Sequence, residues 1–379
     1  MIEPKRLAGY LKKFRITGKP FLAFQIEPSS RCQLKCLMCP RTVFPDEWVN
    51  GDMPLPAYRN ISRYFHLVEY VHLQGWGEPL LHPELPAMVA IAKAERCEVS
   101  LTTNGALLTR NMSEELIKKR LDTIVVSIAG AARETHEDIR RGSHFEQIID
   151  NIRALAGLKL EMRSKTPRIV LSFLMTKTNI SELPDAVGLA KDMGGNEFLA
   201  ANLDYIPIQA LDDLKVFSPD KEDPQAGMHI DAARTRAREI RLPFRSYPLR
   251  MEEVTMCEMD PLRIVFISFD GCLSPCVYLN LPKRGLISRI FCGVRDSMQK
   301  VCFGSIAEND FMEIWNSEEY RNFRGFYARR MAVNREAFDF IDTLQSKNDL
   351  TAVFEKQDIL FRENPLPAVC QTCYKAYSI

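Results

Sequence analysis

The chain has 379 residues, enough for two domains or for one barrel-sized α/β domain with an extension. Its net charge of +1 argues against a dedicated nucleic-acid binder, and its 46% hydrophobic content excludes global disorder. No apolar run reaches the ~18 residues of a membrane span and no signal core is present, so the expectation is a cytoplasmic protein without membrane contact.

In chain order, basic Lys5, Arg6, Lys12, Lys13, Arg15 and Lys19 surround apolar Leu7, Tyr10, Leu11 and Phe14. This spacing predicts an amphipathic helix over residues 1–20, solvated on one side, with a membrane-surface or partner helix as the alternative. From 21 to 205 the pattern is strand then helix, repeated. Strands are expected at 21–27, 70–75, 98–104, 123–128, 168–175 and 197–203. Helical spacing falls at 85–96, 113–119, 145–158 and 180–193. Such alternation predicts a parallel sheet with outer helices, a partial (β/α)6 TIM-like barrel. The unusual clusters all follow strand ends, the edge where parallel α/β folds place their chemistry. Residues 206–250 read as a linker with one helix near 231–240. Residues 251–379 form a second, cysteine-rich unit.

The chain holds 11 cysteines. In a reducing compartment they point to metal or redox work rather than to a disulfide framework. Cys32, Cys36 and Cys39 share one loop after the first strand. Thiolates at this spacing can hold three corners of a cubane iron–sulfur cluster and leave the fourth iron open. Over residues 20–205 the chain resembles the radical S-adenosylmethionine (SAM) superfamily. The resemblance implies a [4Fe–4S] cluster on these three cysteines, with SAM chelated at the open iron. It also implies one-electron cleavage of SAM to a 5′-deoxyadenosyl radical. A zinc site is the alternative, but no fourth ligand lies in the loop. Gly77-Glu78-Pro79 is similar to the family's Gly-Gly-Glu-Pro motif, which implies contact with the methionine ammonium. Trp76 replaces the first glycine and is read as filling space. Asn104 and Ser127 match positions that contact the ribose or methionine. The family's Ser-x-Asp-Gly reads Ser127-Ile128-Ala129-Gly130 here. Arg140 and Arg141 are expected to serve the surface.

Downstream come Cys257, thirteen residues, Gly271, four residues and Cys276, and later Cys370-Gln371-Thr372-Cys373. This resembles the SPASM domain and its shorter twitch form. The expected frame is a β-hairpin over 263–269 turning at Asp270-Gly271, with a helix and the final cysteine pair. The resemblance implies one auxiliary [4Fe–4S] cluster on Cys257, Cys276, Cys370 and Cys373. Cys272, Cys292 and Cys302 are left unassigned; a further cluster from them, or a zinc hairpin in place of the whole set, are alternatives. Cys97 reads as a buried thiol and Asp270 as a turn residue.

The favoured function is a radical SAM oxidoreductase that removes two electrons from a small molecule, with the auxiliary cluster accepting one. Among relatives, an alcohol dehydrogenase acting on aminocyclitols is the template. The alternative is a peptide maturase that oxidises or cross-links its substrate. The 31 residues before Cys32 are too few for a leader-binding winged helix, which lowers that reading, whereas a helical insertion at 332–362 would suit a large substrate. A reading of another class, a non-enzymatic electron relay, needs no open iron. A flavodoxin- or ferredoxin-type donor is the expected redox partner.

Overall fold

The computed structural model describes residues 18–220, 222–338 and 359–379. The expected N-terminal helix up to residue 17 and the middle of the expected insertion, 339–358, lie outside the described residues. In chain order the strands are β1 (Phe21–Ile26), β2 (Lys35–Cys36), β3 (Val68–Leu73), β4 (Glu98–Thr103), β5 (Thr123–Ile128), β6 (Arg140–Arg141) and β7 (Arg168–Met175). They continue with β8 (Glu197–Asn202), β9 (Phe244–Ser246), β10 (Ile264–Ile267), β11 (Leu273–Ser274), β12 (Ile287–Phe291) and β13 (Val294–Met298). Nine of them form one sheet, in the order β11-β10-β1-β3-β4-β5-β7-β8-β9. Its pairs are parallel except for the β10–β11 hairpin.

The six expected strands are the six consecutive central ones. Burial alternates along them with the period of a strand. On β4 and β5, Val99, Leu101, Ile124 and Val126 are buried against the outer helices. The intervening Ser100, Thr102, Val125 and Ser127 are only half-buried. That opposite face is polar near β3 and β4: His72 Nδ1 meets Ser100 Oγ at 2.8 Å and Thr102 donates to Gln74 at 2.9 Å. The helices follow from their apolar stripes. In Phe145–Glu161, Phe145, Ile148, Ile149, Ile152, Leu155 and Leu158 are buried at three- and four-residue steps. Among the described residues no helix is long and apolar enough to cross a membrane.

Three expectations need correction. The stretch 206–250 is not a bare linker. Its helix runs Pro224–Glu239, starting earlier than 231 because Asp223 caps it and Pro224 suits the first turn. Its β9 then pairs with β8 at one edge of the sheet. The hairpin strand β10 is shorter than 263–269 and does not belong to a separate unit. It lies parallel to β1, with Ala23 opposite Ile264 and Ile26 opposite Ile267, so the C-terminal unit and the barrel share one sheet. The second central strand starts two residues before 70, at Val68.

Candidate functional site

The first cysteine loop leaves the C-terminal end of β1 and is held mainly by backbone. Its middle forms the two-residue ladder β2–β6, where Cys36 stands opposite Arg140 and Lys35 opposite Arg141. Arg140 and Arg141 therefore frame this loop rather than merely serving the surface. Arg41 donates to the carbonyls of Cys32 and of Leu34, the latter at 2.6 Å. Pro40 then starts a short helix directly after Cys39. Cys32, Cys36 and Cys39 all remain partly accessible. Burial first, then the neighbouring thiols, pushes Cys39 up to about 12. Such mutual repulsion is relieved when a multivalent iron centre takes the thiolates, so the three groups fit a cluster's corners.

The Gly77-Glu78-Pro79 turn sits against this loop. Glu78 N donates to Arg31 O at 2.7 Å. A Cβ on Gly77 would lie 2.2 Å from Ser29 O and 2.6 Å from Arg31 O, so only glycine permits the approach. The carboxylate and backbone groups of this turn are the ones expected at the methionine ammonium. The Glu78 carboxylate accepts from Thr103 Oγ1 at 2.7 Å, Asn104 N at 2.8 Å and Leu80 N at 3.0 Å. It is fully enclosed, and that burial raises its pKa. Most of its acceptor capacity thus braces the end of β4. The brace fixes Asn104, whose Nδ2 lies 3.7 Å from Cys32 Sγ and whose Oδ1 accepts from Gln33 at 3.2 Å. Ser127 stands farther along the sheet, in register with Ser172, outside this hydrogen-bonded group.

The second site gathers residues remote in sequence. Cys257, Cys276, Cys370 and Cys373 all line one cavity. Its other walls include Met259, Pro261, Leu279, Phe323 and Tyr327. Cys257 precedes the β10–β11 hairpin and Cys276 follows it. Burial raises all four thiols, Cys370 to about 12, and neighbouring thiols add to the shifts of Cys257, Cys276 and Cys370. Four thiols around a cavity, rather than converging on a point, fit the four corners of a cubane. Among the described residues, no three His, Cys, Asp or Glu side chains converge closely enough to hold a single metal ion. The helix Glu318–Phe338 supplies Phe323 and Tyr327 as a lid, and the Tyr327 hydroxyl bonds to Cys370.

Several residues escaped the sequence reading. Trp76 does more than fill space: its indole N–H donates to Val277 O at 2.9 Å, and its ring packs on Tyr205 at 5.1 Å and Tyr278 at 6.0 Å. The motif turn is thereby tied to the wall of the second cavity. Lys375 is buried beside Cys373 and pairs with Asp204 at 2.7 Å and Glu258 at 2.6 Å. Cys272 and Cys302, left unassigned from sequence, form a disulfide in a chain whose cysteines were read as serving metal or redox work rather than a disulfide framework. Cys97 is buried and donates to Phe65 O at 3.3 Å and Val68 O at 3.4 Å. Asp270 acts within its turn, accepting from Ser268 and pairing with Lys300 at 3.4 Å.

Residues 26–190 match the family described as the radical SAM superfamily, and 257–338 match SPASM, described as an iron–sulfur cluster-binding domain. A tungsten-containing aldehyde ferredoxin oxidoreductase cofactor-modifying protein of Pyrococcus furiosus is 25% identical, covering 84% of this chain and 89% of that one. An AdoMet-dependent heme synthase of Methanosarcina barkeri is also 25% identical, over 79% and 83%. Among solved structures, Streptococcus suis SuiB bound to S-adenosylmethionine superposes with a TM-score of 0.59 at 18% identity, covering 85% of this chain and 72% of that one. Native anSMEcpe with bound AdoMet gives 0.57 at 15% identity, over 79% and 82%. These two likenesses establish the fold.

Proposed function

Because the chain belongs to the radical SAM superfamily and carries a SPASM domain, with SAM and two [4Fe–4S] clusters as cofactors, we propose that it oxidises a small molecule by two electrons. In this reading Cys32, Cys36 and Cys39 hold the first cluster. Gly77, Glu78, Pro79, Asn104 and Ser127 form the SAM side of that site. Cys257, Cys276, Cys370 and Cys373 hold the second. When bound, these groups supply a 5′-deoxyadenosyl radical for hydrogen abstraction and an acceptor for one electron. The substrate loses one hydrogen atom, one proton and one electron in all, leaving a new double bond to carbon. A flavodoxin- or ferredoxin-type protein is the proposed source of the priming electron.

The carrying observation is the four-thiol cavity: four thiols separated by up to a third of the chain meet among largely apolar walls. The chain's own contribution is orientation. Glu78 braces Asn104 beside Cys32, and Trp76 ties that assembly to the second cavity. The names of the cofactor-modifying protein and the heme synthase support a substrate that is not a peptide.

The test is anaerobic. Reconstituted protein is reduced in the presence of SAM and 5′-deoxyadenosine is quantified. Its release is expected to rise with the low-molecular-mass fraction of a cell extract. Release stimulated only by peptides would replace this reading by a peptide maturase. No release from fully loaded, reducible protein would remove the enzyme reading.

A further inference from the structure

Arg289, on β12, is 3% exposed. Its guanidinium is unevenly satisfied. Nε donates to Thr372 Oγ1 at 3.1 Å, and Nη2 donates to the same oxygen at 2.6 Å. Nη2 also donates to Val369 O at 2.6 Å and lies 3.4 Å from Asp296. Nη1 is buried and has no partner. An arginine cannot shed its charge, and a buried donor left open is costly, so an unmet Nη1 marks a place for an acceptor.

The surroundings say which acceptor. Val369 and Thr372 belong to the turn that carries Cys370 and Cys373, so the guanidinium is clamped to that turn. Arg289 lines a separate small cavity, and Cys373 shares its wall. Cys373 also lines the four-thiol cavity, so this residue belongs to the walls of both. The other buried cation nearby, Lys375, is offset by two carboxylates at 2.7 and 2.6 Å. Arg289 pairs with the carboxylate of Asp296 at the longer distance of 3.4 Å.

We propose that Arg289 is a positioning residue that sets the reduction potential of the auxiliary cluster, its open Nη1 serving as donor to sulfur at the Cys373 corner. The proposal rests on Cys370 and Cys373 being ligands of that cluster. Reduction adds one electron and no proton there. A fixed positive charge beside that corner, with an N–H free to donate, favours the more negative, reduced state and raises the potential. Asp296 works against this by partly neutralising the guanidinium.

The experiment is an anaerobic redox titration of the reconstituted full chain, followed by electron paramagnetic resonance, for wild type, Arg289→Met, Arg289→Lys and Asp296→Asn. At a fixed poise, Arg289→Met should lower the reduced-to-oxidised ratio of the auxiliary cluster about tenfold, ~59 mV for a one-electron couple. Arg289→Lys should fall between, and Asp296→Asn should shift the ratio upward. The couple of the first cluster should stay in place throughout. A clamp that only holds the turn together would not give shifts of opposite sign. An auxiliary couple unmoved in both Arg289→Met and Asp296→Asn, at full iron content, overturns the proposal. Should Arg289→Met lose the cluster, Asp296→Asn and Arg289→Lys decide alone: no upward shift in the former overturns it. A wild type that holds only one cluster refutes the ligand assignment instead.

Discussion

Cys32, Cys36 and Cys39 come from one loop and stay partly accessible, whereas Cys257, Cys276, Cys370 and Cys373 come from three remote segments and ring a largely apolar cavity, with Cys257 and Cys370 buried and Cys276 and Cys373 still partly accessible. The loop around the first set is fixed by backbone bonds from Arg140, Arg41 and the Gly77 turn, with polar Asn104 and Gln33 at the rim. The second set is walled by Leu279, Phe323 and Tyr327. Three ligands in an accessible loop leave room for an exchangeable fourth. Four ligands behind apolar walls leave none, and adjust a potential rather than a coordination shell. The β1–β10 pairing joins the two kinds of site rigidly.

The sharpest way to break this comparison is to remove either set. Replacing Cys32, Cys36 and Cys39 together by Ala should abolish 5′-deoxyadenosine formation and lose one cluster's iron, with the auxiliary spectrum retained. Replacing Cys370 and Cys373 by Ala should lose the other cluster and stop product formation while abortive SAM cleavage continues. Product formation that survived the second change would refute the acceptor role. A smaller effect is expected at the frame. Gly77→Ala forces a Cβ to within 2.2 Å of Ser29 O, where backbone must yield. The expected cost is ~1–3 kcal/mol of stability. SAM cleavage should slow because the turn moves off the Cys32 loop. Denaturant midpoints and deoxyadenosine yields measure the two parts.

The central strands were legible because each is a short alternating run, and alternation survives without knowledge of the partner strand. Thr123–Ile128 and Arg168–Met175 have the expected bounds for that reason. The edges were not legible. Phe244–Ser246 is three residues long, and nothing local in Ile264–Ile267 says that it pairs with β1 as well as with its own hairpin partner. The same divide runs through the sites. The cysteine spacing and the Gly77 turn are local patterns. Trp76, Arg289 and Glu27 matter because of which loops they meet across 200 residues or more in some cases, such as Trp76 with Val277. The Cys272–Cys302 disulfide joins residues 30 apart, with no spacing that separates it from the cluster cysteines.

Glu27 offers the finest test, because it sits where the two regions touch. Gly75 leaves space for it: a Cβ there would fall 2.3 Å from the Glu27 side chain. Its carboxylate accepts from Trp76 N in the motif turn at 2.7 Å and from Phe269 N at the hairpin turn at 3.3 Å. Burial pushes its pKa from 4.5 up to about 7; the two backbone bonds oppose the shift, Asp270 adds to it and Lys300 opposes it. The folded pKa therefore lies above the unfolded one. Between these values the native state keeps a proton that the unfolded chain has released, so stability falls as pH rises through that window. Glu27→Gln removes the titration and leaves one of the two amides without its acceptor. The stability of wild type relative to Glu27→Gln should therefore decline by ~1 kcal/mol between about pH 6 and 8. Anaerobic urea unfolding of both proteins at each pH measures it. A difference independent of pH would mean that Glu27 is already ionised in the fold, and that the join between the two regions is an anion held by amides rather than a neutral acid held by burial.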